Sequence, residues 1–161
     1  MNPMTAGLLL FGILGQAQTP RPDPNLRSTF REAIQQAGVL RKTQESLAAA
    51  LTANKASRAM VTEQVAMTEK SLQALRVSIE KIDEKYDSLS EVQQSVVREA
   101  WSLARLLGVF VEYLKDTAAK PDSTDRDKDL ISNSTSTARR AVMLEETLSR
   151  LNAEGRPRGG D

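Results

Sequence analysis

Between Pro24 and Pro121 this chain has no proline and only two glycines, Gly38 and Gly108, while Ala, Leu, Gln, Glu, Lys and Arg dominate. Proline ends helices and glycine weakens them, so so long a stretch with almost none of either is committed to helix. Alternating steps of four and three residues from Leu26 give Leu26, Phe30, Ala33, Ala37, Leu40, Gln44, Leu47, Leu51, Asn54, Arg58, Val61, Val65, Thr68, Leu72, Leu75, Ile79, Ile82, Tyr86 and Leu89. Fifteen of these nineteen are apolar, against about eight expected from a hydrophobic content of 40%. An apolar row with this spacing is the seam along which helices zip together.

The two adjacent failures of the row, Asn54 and Arg58, lie in and beside the segment Thr52-Ala-Asn-Lys-Ala-Ser57. Asn tolerates the left-handed conformation that closes a helix and Ser is a strong N-cap, so the segment reads as the turn of a helical hairpin. The register passes through the break undisturbed, which equally suits one unbroken helix over 26–89, a coiled-coil rod followed by two shorter helices. Length favours the hairpin. A turn near residue 55 gives helices of roughly 28 and 31 residues, matching two later ones of roughly 29.

The start of the third helix is marked by Asp87-Ser-Leu-Ser-Glu-Val-Gln93, with two overlapping capping boxes, Ser88 with Glu91 and Ser90 with Gln93. Lys120-Pro121 ends it near Ala119, and Asp122-Ser-Thr-Asp-Arg-Asp127 opens a fourth with caps and acidic first-turn residues. Leu130, Ser134, Thr137, Ala141, Leu144, Leu148 and Leu151 form its seam. Four helices of similar length with short connections predict an all-α, up-down-up-down four-helix bundle with coiled-coil-like packing over residues 26–152.

The third helix carries more apolar surface than a seam needs. Thirteen of the nineteen residues from Val96 to Leu114 are apolar. Val96, Ala100, Leu103, Leu107, Phe110 and Leu114 form an expected core row, and Arg98, Arg105 and Glu112, spaced by sevens, a narrow polar stripe opposite. On one flank lie Leu106, Val109 and Tyr113, and on the other Val97, Trp101, Ala104 and Val111. The apolar arc exceeds the roughly 100° that a surface helix buries. Either neighbouring helices wrap the flanks, or Trp101, Leu106, Val109 and Tyr113 form a surface for a protein partner or for self-association. Gly108, near the arc, marks a close approach or a tolerated defect.

Chemistry is constrained by what is missing. With no His and no Cys, the chain has no imidazole base, no thiolate and none of the soft ligands of zinc, haem or iron–sulfur centres. With 22 Lys and Arg against 21 Asp and Glu, interspersed in sign, it offers no basic face, and nucleic acid is not an expected partner. Asp125, Asp127 and Asp129 imitate the start of a calcium loop, but Leu130 and Ser136 stand where the turn glycine and the closing glutamate belong. Those acids are better read as complements to a helix dipole. Asn133-Ser-Thr135 is a glycosylation triplet in a helical context, which counts against its use. Acidic pairs at Glu80/Glu84, Asp83/Glu84 and Glu145/Glu146 lie on faces rich in Lys and Arg. No catalytic, cofactor-binding or metal-ligating residue is expected, and the chain is not expected to be an enzyme.

Ala6–Leu14 is a nine-residue apolar run, followed by Gly15-Gln16-Ala17 with small residues at a cleavage-like spacing. That reads as a signal peptide over 1–17, despite the absence of Lys and Arg from Met1 to Thr5. The run is too short to span a bilayer, which needs about 20 apolar residues, and four charges between Val96 and Leu114 argue against a span in the third helix. Pro20, Pro22 and Pro24 make 18–25 an extended linker, and 153–161 a frayed tail. The expected role is that of an exported, secreted or periplasmic, protein-binding or structural bundle, an adaptor or chaperone-like oligomer. The alternative is a periplasmic ligand-sensing module that works with a partner.

Overall fold

The computed structural model describes residues 24–153, and they form the expected all-α four-helix bundle. The helices are α1 (Pro24–Thr52), α2 (Arg58–Asp83), α3 (Glu91–Ala119) and α4 (Thr124–Ala153), with a 3-10 turn at Tyr86–Ser88 before α3. No strand occurs among the described residues. Each helix packs on the next and α4 returns to α1, closing a four-helix bundle in which α1 and α4 share the most surface and α2 and α3 the least. The signal peptide and nearly all of the linker and tail expected from the sequence lie outside the described residues.

Of the nineteen seam positions, all but Asn54, Arg58 and Tyr86 are buried, and so is every seam position of α4. The helix nevertheless breaks at the failed positions, which rules out a continuous 26–89 rod. Asn54 adopts a φ of 52°, its N–H reaches Leu51 O at 3.0 Å and the N–H of Lys55 reaches Ala50 O at 2.9 Å. Those two bonds form a Schellman motif that satisfies carbonyls at the end of α1. Ser57 then caps α2, accepting from the N–H of Met60 at 3.2 Å.

The second turn uses one of the two capping boxes. Ser90 accepts from the N–H of Gln93, and Gln93 Oε1 accepts from the N–H of Ser90. Ser88 instead donates to Lys85 O at 2.7 Å inside the 3-10 turn, and α2 stops at Asp83, six residues short of Leu89 at the end of the seam. Leu89 still enters the core, from extended backbone. The third turn follows Lys120-Pro121, and Ser123 Oγ accepts from the N–H of Arg126 at the start of α4. Buried Arg126 pairs with Asp122 and with Asp127.

The core has two parts. A large cluster runs from Leu26, Phe30 and Leu40 through Leu72–Ile82 and Val96–Val111 to Leu144, Leu148 and Leu151. A small one at the end holding the first and third turns comprises Leu47, Leu51, Val61, Val65, Leu114 and Leu130. Between them α1, α2 and α4 contribute Gln44, Thr68, Ser134 and Thr137, all fully buried. Gln44 Nε2 donates to Thr68 Oγ1 at 2.5 Å, Thr68 donates to Gln64 O and Thr137 to Asn133 O. Gln44 Oε1 and Ser134 Oγ make no hydrogen bond among the described residues.

Candidate functional site

The buried side of α3 is rotated from the expected row. Val96, Val97, Ala100, Ala104, Leu107, Val111, Leu114 and Thr117 are buried, whereas Leu103 and Phe110, both expected in the core, are only half-buried. The shift follows the small side chains on the flank facing α2. Val97, Ala104 and Val111 let α2 close on that side, and Arg76 of α2 donates across the seam to Ala104 O at 3.3 Å. Its guanidinium lies over Gly108, where a Cβ would overlap Arg76 Nη2. Gly108 is thus a close-approach point, with a side chain rather than a backbone as its visitor.

Rotation towards α2 leaves the opposite flank uncovered. Leu106 is 42% exposed, Tyr113 58% and Val109 65%. Among the proposed surface residues Trp101 stands apart. It is half-buried on the α2 side, packed against the main cluster, and lines an open groove of about 730 Å³ with Asp83, Tyr86, Arg98, Ser102 and Arg105. Leu106, Val109 and Tyr113 therefore share one face, and Trp101 belongs to another.

Two apolar side chains that seam analysis passed over are exposed beside that face: Val92, at the start of α3, and Met143 of α4. The register between α3 and α4 is fixed by Glu99, which accepts from Thr147 at 3.1 Å and from Arg150 at 2.6 Å. It is fixed further on by Arg140, whose guanidinium stacks 3.8 Å from the centre of the Phe110 ring. These pairings set Met143 level with Leu106. Met143 lies off the α4 seam, a departure visible in the sequence; which side it took depended on the packing of α4 against α3.

Charge on this face is unevenly spread. Arg98 and Arg105 are exposed in the first half of α3 and make no ion pair among the described residues, while exposed Glu112 and Asp116 stand in the second half. Glu112 lies 3.6 Å from Lys115, whose stronger partner is Glu69 of α2 at 2.8 Å. That hydrogen bond to Glu69 raises the Lys115 pKa, against partial desolvation. Similarly, the hydrogen bonds that Arg41 donates to Glu145 and Glu45 at the α1/α4 seam raise its pKa. A furrow of about 460 Å³ between α2 and α3, beside Val109, has Arg105 and Glu112 on its walls and Leu72, Gly108 and Val111 among its lining.

No group of three or more acidic side chains capable of holding a metal occurs among the described residues. Asp125 and Asp127 stand in the first turn of α4, where the helix dipole favours them. No described helix is long and apolar enough to cross a membrane. No protein-family model matches the chain, and no curated protein or solved structure matches it significantly.

Proposed function

We propose that this chain is an exported helical bundle with a structural or protein-binding role, and that it docks a protein through the outward face of α3. The observation that carries this reading is the exposure of Leu106, Val109 and Tyr113 together on a helix whose other side is already filled. Isolated exposed apolar residues are ordinary, but a contiguous row with an aromatic among them is the composition of an interface. Export is supported by the apolar run Ala6–Leu14 and the small residues before Ala17. The reading involves no catalysis, since it needs only shape and apolar area.

Replacing Val109 with Asp and Tyr113 with Ser should change folding stability by less than about 0.5 kcal/mol, as surface substitutions do, while abolishing crosslinks from this face in an envelope fraction. Crosslinks that survive both substitutions would place the docking site elsewhere. Mass spectrometry of the mature amino terminus tests export, with cleavage expected after Ala17.

The open groove beside Trp101 gives a ligand-sensing module some support, because an aromatic wall with Arg98 and Arg105 nearby suits a small organic acid. A rise in melting temperature with organic or amino acids, lost in Trp101→Ala, would favour that reading over docking.

A further inference from the structure

The outward face of α3 has a polarity along its length that limits what can lie on it. Glu91, Arg98 and Arg105 occupy the first half, with basic charge in excess, Leu106, Val109 and Tyr113 the middle, and Glu112 and Asp116 the second half. A parallel copy of the same helix would set arginine on arginine. An antiparallel copy reverses the order and sets each basic half against an acidic one. Given the docking reading above, we infer that the occupant of this face is α3 of a second copy of the chain, laid antiparallel about a twofold axis passing between Gly108 and Val109.

The positions fit that axis. Arg105 and Glu112 are equidistant from it, so each Arg105 meets the other copy's Glu112 and the pair forms twice, as an isologous interface requires. Arg98 comes within a turn of the other copy's Asp116. Val109, exposed beside the axis, would meet the other copy's Val109, while Gly108 is turned aside under Arg76 of its own chain. The furrow lined by Leu72, Gly108 and Val111 is open beside it. Leu106 and Tyr113 flank the centre and remove apolar surface from water. Arg105 has no ion-pair partner among the described residues, and Glu112 is held only by the longer of the two Lys115 contacts. Arg105 is therefore free to pair across the axis, and Glu112 can pair there by sharing or giving up its longer contact with Lys115. One helix-on-helix contact falls at the lower end of specific interfaces, which bury about 1,200–2,000 Å² in total. The dimer should be reversible and populated at micromolar or higher concentrations.

The test uses sedimentation equilibrium of the full chain and of Arg105→Glu and Glu112→Arg. Each single reversal sets like charges together twice and should weaken self-association about tenfold or more. An equimolar mixture of the two variants restores opposite charges at both contacts, so heterodimers should reappear. Circular dichroism of each variant should match that of the parent, which separates a lost interface from a lost fold. A parent chain that stays monomeric throughout, a dimer indifferent to both reversals, or a mixture no more associated than its components would each overturn the inference. A photocrosslinking residue at position 109 distinguishes this failure from that of the docking reading. An adduct of twice the chain mass supports the second copy, one of another mass leaves docking but rejects self-pairing, and no adduct rejects both.

Discussion

Gln44 shows how much one buried side chain can decide. It sits in the seam of α1 with no exposed surface, donates to Thr68 and leaves its Oε1 without a hydrogen bond among the described residues. A buried polar atom without a partner costs about 1–3 kcal/mol, whereas a buried pair replaced by apolar groups of the same shape is close to neutral. Methionine has nearly the shape of glutamine, and Thr68 would keep its bond to Gln64 O. Gln44→Met should therefore raise stability by about 1 kcal/mol, seen as a higher urea midpoint with an unchanged slope. A lower midpoint would mean that Oε1 is satisfied after all, by a trapped water or by rearrangement of Ser134. Sequence pattern located this residue as a seam failure, since a heptad position held by Gln is conspicuous. Its pairing with Thr68 was not legible, because two failures on different helices become a pair only once the turn between them fixes which residues stand level.

At the scale of the elements, the turn between α1 and α2 is where sequence and structure agree most fully. Asn54 takes the left-handed conformation and Ser57 caps the next helix, as their side-chain chemistry implies. A β-branched residue in that conformation costs about 1–2 kcal/mol, and glycine adopts it freely. Asn54→Val should destabilise the bundle by that amount, while Asn54→Gly should be neutral or slightly favourable, both measured by chemical denaturation. Equal tolerance of Val and Gly would mean that the chain runs on as one helix through residue 54. The same reasoning shows why α3 was read less well. Its expected core row follows helical spacing alone, but Val97, Ala104 and Val111 are buried and Leu103 and Phe110 half exposed. The side a neighbour approaches most closely is set by small residues and by what the neighbour sends across, here Arg76 over Gly108. A single helix pattern rewards hydrophobicity and is blind to fit. The same limit separated Trp101 from Leu106, Val109 and Tyr113, since an arc of apolar residues does not say which edge another helix will cover.

Across the whole molecule, the polar layer of Gln44, Thr68, Ser134 and Thr137 divides the core into unequal parts. The small part holds the first and third turns, tied to each other by Arg58, which reaches Asp122 and Ala119 O at 3.4 Å each across exposed surface. Exposed ion pairs contribute about 0–1 kcal/mol, so this end is held mainly by six apolar side chains. The large part spans the remaining length of all four helices. A core divided in this way should open in steps, with the turn end exchanging its amide hydrogens before the whole bundle unfolds. Leu130 and Leu144 are both fully buried in α4, one in each part, and loss of either side chain to Ala should cost about 2–5 kcal/mol. The two substitutions should differ in where that cost appears. Leu130→Ala removes contacts broken in the first opening and in complete unfolding, so protection should fall in both parts. Leu144→Ala removes contacts that the first opening leaves intact, so protection should fall around the large cluster while opening of the turn end keeps its free energy. Native-state hydrogen exchange on the two variants reads this asymmetry, and uniform loss of protection in both would show that the bundle unfolds as one unit despite its divided core.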